Sequence, residues 1–298
     1  MTSENYDILS TLPQAEINVL DKGFVKIIDC MPRSVPQGLT CDYRIAQAAR
    51  VSYGNGTKSI NEDTGLIRYL MRHKHTTPFE KVVFEFHIKL PLFVFAQLVR
   101  HRTASINSLS ARYSVMKDEF YLPKPEQVRG QSSTNKQGSS DQPDKEVEWF
   151  AQFLEDYCED SYLNYEKALS DGVTREQARM ILPQNLYTEI YWTINLHNLL
   201  HFLDLRLDNH AQYEIRVYAE AIYSIVQKLC PVTVTAFDDY SPMRGGMTLT
   251  RLELDSLRDG LKNTYDVVSE SWFPKLATDN KREQLEWNDK LGRILGVL

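Results

Sequence analysis

The sequence predicts an α+β fold, and three stretches carry that expectation. Val82, Phe84, Phe86 and Ile88 alternate with Val83, Glu85, His87 and Lys89, a period of two that marks a strand with one strongly buried face. Leu186 to Ile194 is rich in aromatic and β-branched residues, with Leu186, Ile190, Trp192 and Ile194 on one parity, and reads as a second strand. Gln212 to Leu229 is a long run of good helix formers, stopped by Cys230-Pro231.

In chain order, residues 1–16 read as a loose tail. Val19 to Gly23 turns into Phe24-Val25-Lys26-Ile27-Ile28-Asp29-Cys30, short and β-branched between turn formers, hence a strand. Residues 42–51 carry alanines and Ile45 at helical spacing, and Gly54-Asn55-Gly56 breaks that helix. A second helix is expected from Asn61 to Arg72, with Leu66, Ile67 and Leu70 on one face. Pro78 biases Thr77 toward extended geometry, so residues 73–80 form a turn before the period-two strand. Pro91 suits the first turn of an apolar helix that carries Gln97 and Arg100 on the same side. Tyr113 to Leu122 reads as extended, and residues 124–147, rich in Lys, Gln, Ser, Gly, Pro and Asp, as a solvated insertion. Helix resumes over 147–169, and Thr174-Arg175-Glu176-Gln177 has capping-box spacing ahead of a short helix that ends near Pro183. Asn195 to Arg206 is helical, with His197, His201, Asp204 and Asp208 along one stripe. Beyond Tyr240 the chain is more charged, with an amphipathic stretch at Leu249, Leu252, Leu257 and Leu261.

Composition narrows the function classes. A net charge of −6 disfavours a broad nucleic-acid footprint, though an acidic chain can still hold a basic pocket. Cys30, Cys41, Cys158 and Cys230 are scattered, with no pair at metal or redox spacing, which points to a reducing compartment. The polar, acidic start does not resemble a signal peptide and no apolar run reaches the length of a membrane span, so a cytoplasmic protein is expected.

The chemistry concentrates in residues 100–113. Arg100, His101, Arg102 and Arg112 follow an almost wholly apolar segment, Pro91 to Val99, like cations delivered by a buried rod to one spot. Guanidinium forks match phosphate oxygens, so an anionic ligand is weighed against a solvated helix end that merely favours cations. Arg179 and Arg206 are further arginines in apolar helices; each alone reads as a structural ion pair, and together they shift the balance toward a ligand. His197 and His201 have the i, i+4 spacing of a metal pair, but Asn198 stands where a zinc protease needs Glu, and hydrogen bonding ranks above metal. His73 and His75 lie two apart in a turn, and no metal is expected there either. Ser110 and His101 lack the orienting carboxylate of a hydrolytic triad nearby in sequence. The residues alone support a pocket for phosphorylated and aromatic ligands without naming a reaction.

Arg100-His101-Arg102, seven residues and Ser110 resemble the signature of the flavin-dependent thymidylate synthases, the ThyX family. Residues 19–25, 49–53, 75–80, 179–183, 192–195 and 205–214 resemble other segments of that family, so the likeness covers roughly residues 19–237. It implies a ThyX-type fold: a central, mostly antiparallel sheet flanked by helices, with long helices in the C-terminal half. Residues 1–18 are then an N-terminal tail, 19–240 the catalytic domain with 124–147 as a flexible insertion, and 241–298 a C-terminal extension. The resemblance also implies the reaction. A methylene group passes from 5,10-methylenetetrahydrofolate to carbon 5 of dUMP, and FAD reduced by NADPH supplies the hydride that completes dTMP. A homotetramer with active sites shared between subunits is implied as well.

Roles follow by position. Gln97, Leu98, Val99, Arg100, Ser108, Leu109, Ser110, Ala111, Arg112, Arg179 and Arg206 would hold dUMP. Arg206, the catalytic residue, would favour loss of the ring-nitrogen proton, since a guanidinium that stays protonated stabilises a pyrimidine anion. Ser52, Thr77, Arg100, His101, Arg102, Ser108, Asn195, His197 and His201 would hold FAD, and His75 and Tyr113 would border the flavin where folate or nicotinamide stacks. Ser110 is a ligand contact in this family and not a covalent nucleophile. Ser108 stands where many members carry Glu, and His197 and His201 where some carry Arg and Asn. Ser108 suggests a second reading, a catalytically impaired FAD- and nucleotide-binding homologue. A third is a nucleic-acid-binding module that uses the Arg-His-Arg cluster with aromatic stacking, disfavoured by the acidic charge.

Overall fold

The structure, a computed structural model, describes residues 5–51, 60–132, 138–140, 145–242, 248–262 and 280–295. The chain divides into two compact units, Met1–Arg244 and Gly245–Leu298.

The larger unit is built on a five-stranded antiparallel sheet in the order β2-β3-β5-β7-β6. The strands are β2 (Glu16–Val19), β3 (Gly23–Met31), β5 (Val83–Pro91), β6 (Ser105–Ser108) and β7 (Tyr187–Asn195). Period two decides which face is buried. Phe84, Phe86 and Ile88 of β5 and Ile190, Trp192 and Ile194 of β7 point into one core and are fully or almost fully enclosed. The other face is polar: His87 stacks on Tyr191 at 4.7 Å and meets Glu189 at 2.9 Å.

Helices close the core side. These are α1 (Asp42–Arg50), α2 (Ile60–Arg72), α6 (Leu196–Arg206), α7 (Tyr213–Leu229) and α8 (Pro231–Tyr240). A smaller core of Met116, Phe120, Cys158, Tyr165, Ala178 and Leu186 lies under α4 (Trp149–Ser170). In the smaller unit, α9 (Arg251–Lys262) and α10 (Lys281–Leu295) pack against each other. Among the described residues, no helix is long and apolar enough to cross a membrane.

Several expectations need correction. The N-terminal segment is tied down where it is described: β1 (Asn5–Asp7) pairs with β4 (Ser34–Pro36), and Ile8 is buried. Three-residue strands leave no readable period. Residues 105–108 form an edge strand with a single apolar residue, too little pattern to detect. α7 ends at Leu229, stopped at Cys230-Pro231 as expected, but Pro231 then opens a further helix, α8, because a proline's missing donor is harmless at a helix start. Residues 113–122 make a turn and an irregular segment with one bridge, Phe120 to Leu186. Thr174 sits at the start of α5 (Arg175–Ala178) in extended geometry, but its side chain makes no cap; its carbonyl accepts from Gln177 N at 3.0 Å instead. Part of the 124–147 insertion, residues 133–137 and 141–144, lies outside the described residues.

The β2–β3 turn shows how closely backbone and helix approach. A Cβ on Gly23 would meet the Tyr218 hydroxyl and would lie 2.8 Å from the carbonyls of Lys89 and Val19. That hydroxyl donates to Lys89 O at 2.7 Å, so moving it aside would break a buried hydrogen bond. Gly23→Ala is expected to destabilise the protein by roughly 1–3 kcal/mol, the usual range for overpacking. A lowered midpoint of urea unfolding is the check, and an unchanged midpoint would contradict this packing.

Candidate functional site

The Arg-His-Arg segment does not continue its helix. α3 is short, Leu92–Leu98, and only Val94 and Leu98 in it are fully buried. Arg100, His101 and Arg102 lie in the turn that follows, with Arg100 and Arg102 exposed, so the buried rod and the shared helical face of Gln97 and Arg100 are both corrected. The turn leads into β6, which pairs with β7 through Ser105↔Thr193. β7 passes directly into α6 at Asn195, whose side chain accepts from Asn198 N at 3.0 Å and caps the helix. The sheet register therefore sets the turn beside α6.

Between them is a cavity of about 250 Å³. The turn contributes Arg100, His101, Arg102 and Thr103; α6 contributes Asn198, His201, Leu205 and Arg206; Ile194 of β7 completes the lining. Five residues expected from the sequence meet here: Arg100, His101, Arg102, His201 and Arg206. Thr103, Ile194, Asn198 and Leu205 were not anticipated. Asn198, His201 and Leu205 are spaced three and four apart, a helical stripe different from the one traced through the histidines. His197 lies off that lining, Asp204 accepts from the Ser241 hydroxyl, and Asp208 caps a turn at His210.

Arg206 Nε donates to His101 Nε2 at 3.1 Å. That bond requires a neutral imidazole with its proton on Nδ1. Burial first, then the Arg206 cation, pushes the His101 pKa down to about 4 from its ordinary 6.5. The ring packs edge-on against Phe202 at 4.9 Å, which fixes its plane. Burial also lowers the Arg206 pKa from its ordinary value, yet a guanidinium remains cationic at neutral pH. The last turn of α6 favours that cation through the helix dipole. Because the unfolded chain binds the His101 proton more tightly, this group makes stability fall as pH drops from about 6.5 toward 4. An NMR titration of the His101 ring is expected to give a midpoint near 4; a midpoint near 6.5 would contradict the buried contact.

Arg100 and Arg102 have no carboxylate partner among the described residues. With His101, Thr103 and Asn198 they form a donor-rich wall, chemistry that fits the phosphates of a dinucleotide such as FAD.

The remaining expected residues fall into other places. Gln97 donates to Gln212 Oε1 at 2.6 Å, and Leu98 and Val99 are buried and half-buried at the end of α3. Ser108 ends β6, exposed, and Leu109 N bonds Glu189 O at 2.8 Å. Ser110 Oγ accepts from Arg112 N at 3.3 Å in the turn that holds Ala111. Arg112 and Tyr113 line a second, more open cavity of about 570 Å³ with Val115, Val173, Thr174, Arg175 and Glu176. Arg112 Nη2 pairs with Glu176 at 3.0 Å, and Arg179 Nε donates to Glu176 O at 3.3 Å. His75 and Thr77 lie in the exposed turn before β5, where the rings of His73 and His75 lie 4.3 and 5.8 Å from that of Tyr69. Ser52 lies outside the described residues.

Comparison with known proteins bears on this arrangement. Residues 38–232 match the family model described as thymidylate synthase complementing protein. A flavin-dependent thymidylate synthase of Dictyostelium discoideum is 46% identical over 288 residues, spanning 96% of this chain and 90% of the relative. That of Wolbachia pipientis wMel is 50% identical over 242 residues, 80% of this chain and 82% of the relative. Among solved structures, the UMP/dUMP methylase PolB of Streptomyces cacaoi bound with 5-Br dUMP superposes with a TM-score of 0.66 at 29% identity, covering 76% of this chain and all of PolB. With the family model matched over most of the chain and relatives 46–50% identical along 82–90% of their length, the chain that builds this basic cavity belongs to the flavin-dependent thymidylate synthase family.

Proposed function

We propose that the protein converts dUMP to dTMP with 5,10-methylenetetrahydrofolate as one-carbon donor and NADPH as reductant of bound FAD. The observation that carries the reading is the convergence of Arg100, His101, Arg102 and Arg206 on one cavity, with Arg206 held by a neutral His101. When bound, FAD supplies the hydride that completes the methyl group. Arg100, His101 and Arg102, helped by His201, Asn198 and Thr103, hold its charged half; Ser52, Thr77, Ser108, Asn195 and His197 are assigned to the same cofactor by position.

The protein groups then divide the work. Arg206 presents its guanidinium to the pyrimidine, where it stabilises negative charge spread over the ring as carbon 5 becomes nucleophilic. His101 keeps that guanidinium in one orientation and, being neutral, adds no competing charge. Arg112 and Arg179 supply the phosphate fork, and Gln97 with residues 98–100 and 108–111 frames the nucleotide. His75 and Tyr113 offer exposed aromatic faces for folate or nicotinamide. No side chain is assigned as covalent nucleophile.

We further propose a homotetramer. The expected ligand residues are spread over a single chain: some line the first cavity, Arg112 and Tyr113 line the second, and His75 and Thr77 sit in an exposed turn. Leu109, Tyr113, Val115, Met180 and Ile181 are exposed apolar residues in the segments of the second cavity, a pattern of surfaces awaiting a partner. The four cysteines are free and buried, which suits a reducing cytoplasm. The test is direct. The purified protein is expected to be yellow, to release FAD on denaturation, to bleach with NADPH and to sediment as a tetramer. A protein that stays colourless with added FAD would refute the reading.

A further inference from the structure

We infer that Glu176 is a positioning residue that competes with the substrate phosphate for Arg112. This rests on the reading above, in which Arg112 and Arg179 take the phosphate of dUMP.

The geometry is specific. Glu176 lies in α5, and its carboxylate meets Arg112 Nη2 at 3.0 Å at the wall of the second cavity. Arg179 is held by the same residue through a different atom: its Nε donates to the Glu176 backbone carbonyl at 3.3 Å. Arg175 Nη1 donates to Tyr113 O at 3.0 Å, fastening α5 to the turn that carries Arg112. One residue thus touches both arginines assigned to the phosphate, but only Arg112 is neutralised by its charge.

A guanidinium already paired with a carboxylate is pre-oriented yet occupied. Phosphate must displace the carboxylate, and the displaced carboxylate stays nearby as a like charge. Both carboxylate and guanidinium are more than half exposed, so the pair is a weak one. The penalty on substrate binding is correspondingly modest, roughly two- to fivefold in affinity. The result is a fork that is held ready without ligand and releases a dianionic product more readily than an unopposed pair of arginines would.

Calorimetric titration of the FAD-loaded holoenzyme with dUMP and with deoxyuridine, at one fixed ionic strength, tests this. Glu176→Gln is expected to bind dUMP about two- to fivefold more tightly and deoxyuridine unchanged, because only the phosphate feels the carboxylate. Glu176→Asp, which keeps the charge, is expected to gain less. Arg112→Ala is expected to weaken dUMP binding. If Arg112→Ala weakens dUMP while Glu176→Gln leaves it unchanged or weaker, the competition is wrong although the phosphate reading stands. If both ligands tighten equally, Glu176 acts on the nucleoside and the inference fails. If Arg112→Ala binds dUMP normally, the phosphate reading fails and takes the inference with it.

Discussion

Arg206→Ala is expected to lower dTMP formation by at least about a hundredfold to a thousandfold, the usual effect of removing one donor aimed at developing charge. Arg206 ends α6, is half-buried, and projects into the cavity lined by the Arg-His-Arg turn. Its Nε is committed to His101 while the residue lines the cavity, which leaves the Nη groups for a ligand. Flavin should stay bound, because Arg100 and Arg102 remain, and the absorbance of the variant reads this separately from turnover. Arg206→Lys should also be impaired, since an ammonium lacks the planar fork that His101 orients. Turnover of Arg206→Ala within tenfold of the parent would contradict the assigned role.

Asp42→Ala is expected to destabilise the fold by roughly 2–5 kcal/mol. Asp42 begins α1 and is buried. Its carboxylate accepts from Val232 N at 2.9 Å, Thr233 N at 3.1 Å and Thr233 Oγ1 at 2.5 Å, and Thr40 Oγ1 lies at 3.1 Å. It therefore caps α8 from the far end of the chain. Burial pushes its pKa up, while those donors pull the other way. Alanine leaves two buried backbone donors orphaned at about 1–3 kcal/mol each. Asp42→Asn keeps one acceptor and should lose less. Urea midpoints of the three proteins test the ranking, and equal midpoints would show that Asp42 does not hold α8.

What the sequence made legible follows from where the physics is local. Alternation in 82–89 and 186–194 marks two strands because one face of each must be buried, and the structure pairs them as β5 and β7. The long helix α7 is equally plain, since its pattern repeats over several turns. β6 and β1 were not readable: each is held by a partner strand and not by its own composition. At the cavity, Arg100, Arg102 and Arg206 stood out as cations in apolar surroundings. Asn198 and Thr103 did not, because only the β7-to-α6 junction brings them to the turn. Glu176 reads from the sequence as part of a capping box, and its contact with Arg112 depends on α5 meeting the turn after β6. Ser108 was legible as a departure from the family pattern, yet it ends an edge strand and does not line the first cavity.

The central claim is that this cavity performs reductive methylation, and dTMP formation measured with and without FAD tests it most directly. With dUMP, 5,10-methylenetetrahydrofolate, NADPH and FAD, dTMP should appear together with tetrahydrofolate, and omitting FAD from flavin-stripped protein should stop it. A protein that is yellow and bleached by NADPH but makes no dTMP would contradict the account and leave a nucleotide-binding homologue without the reaction.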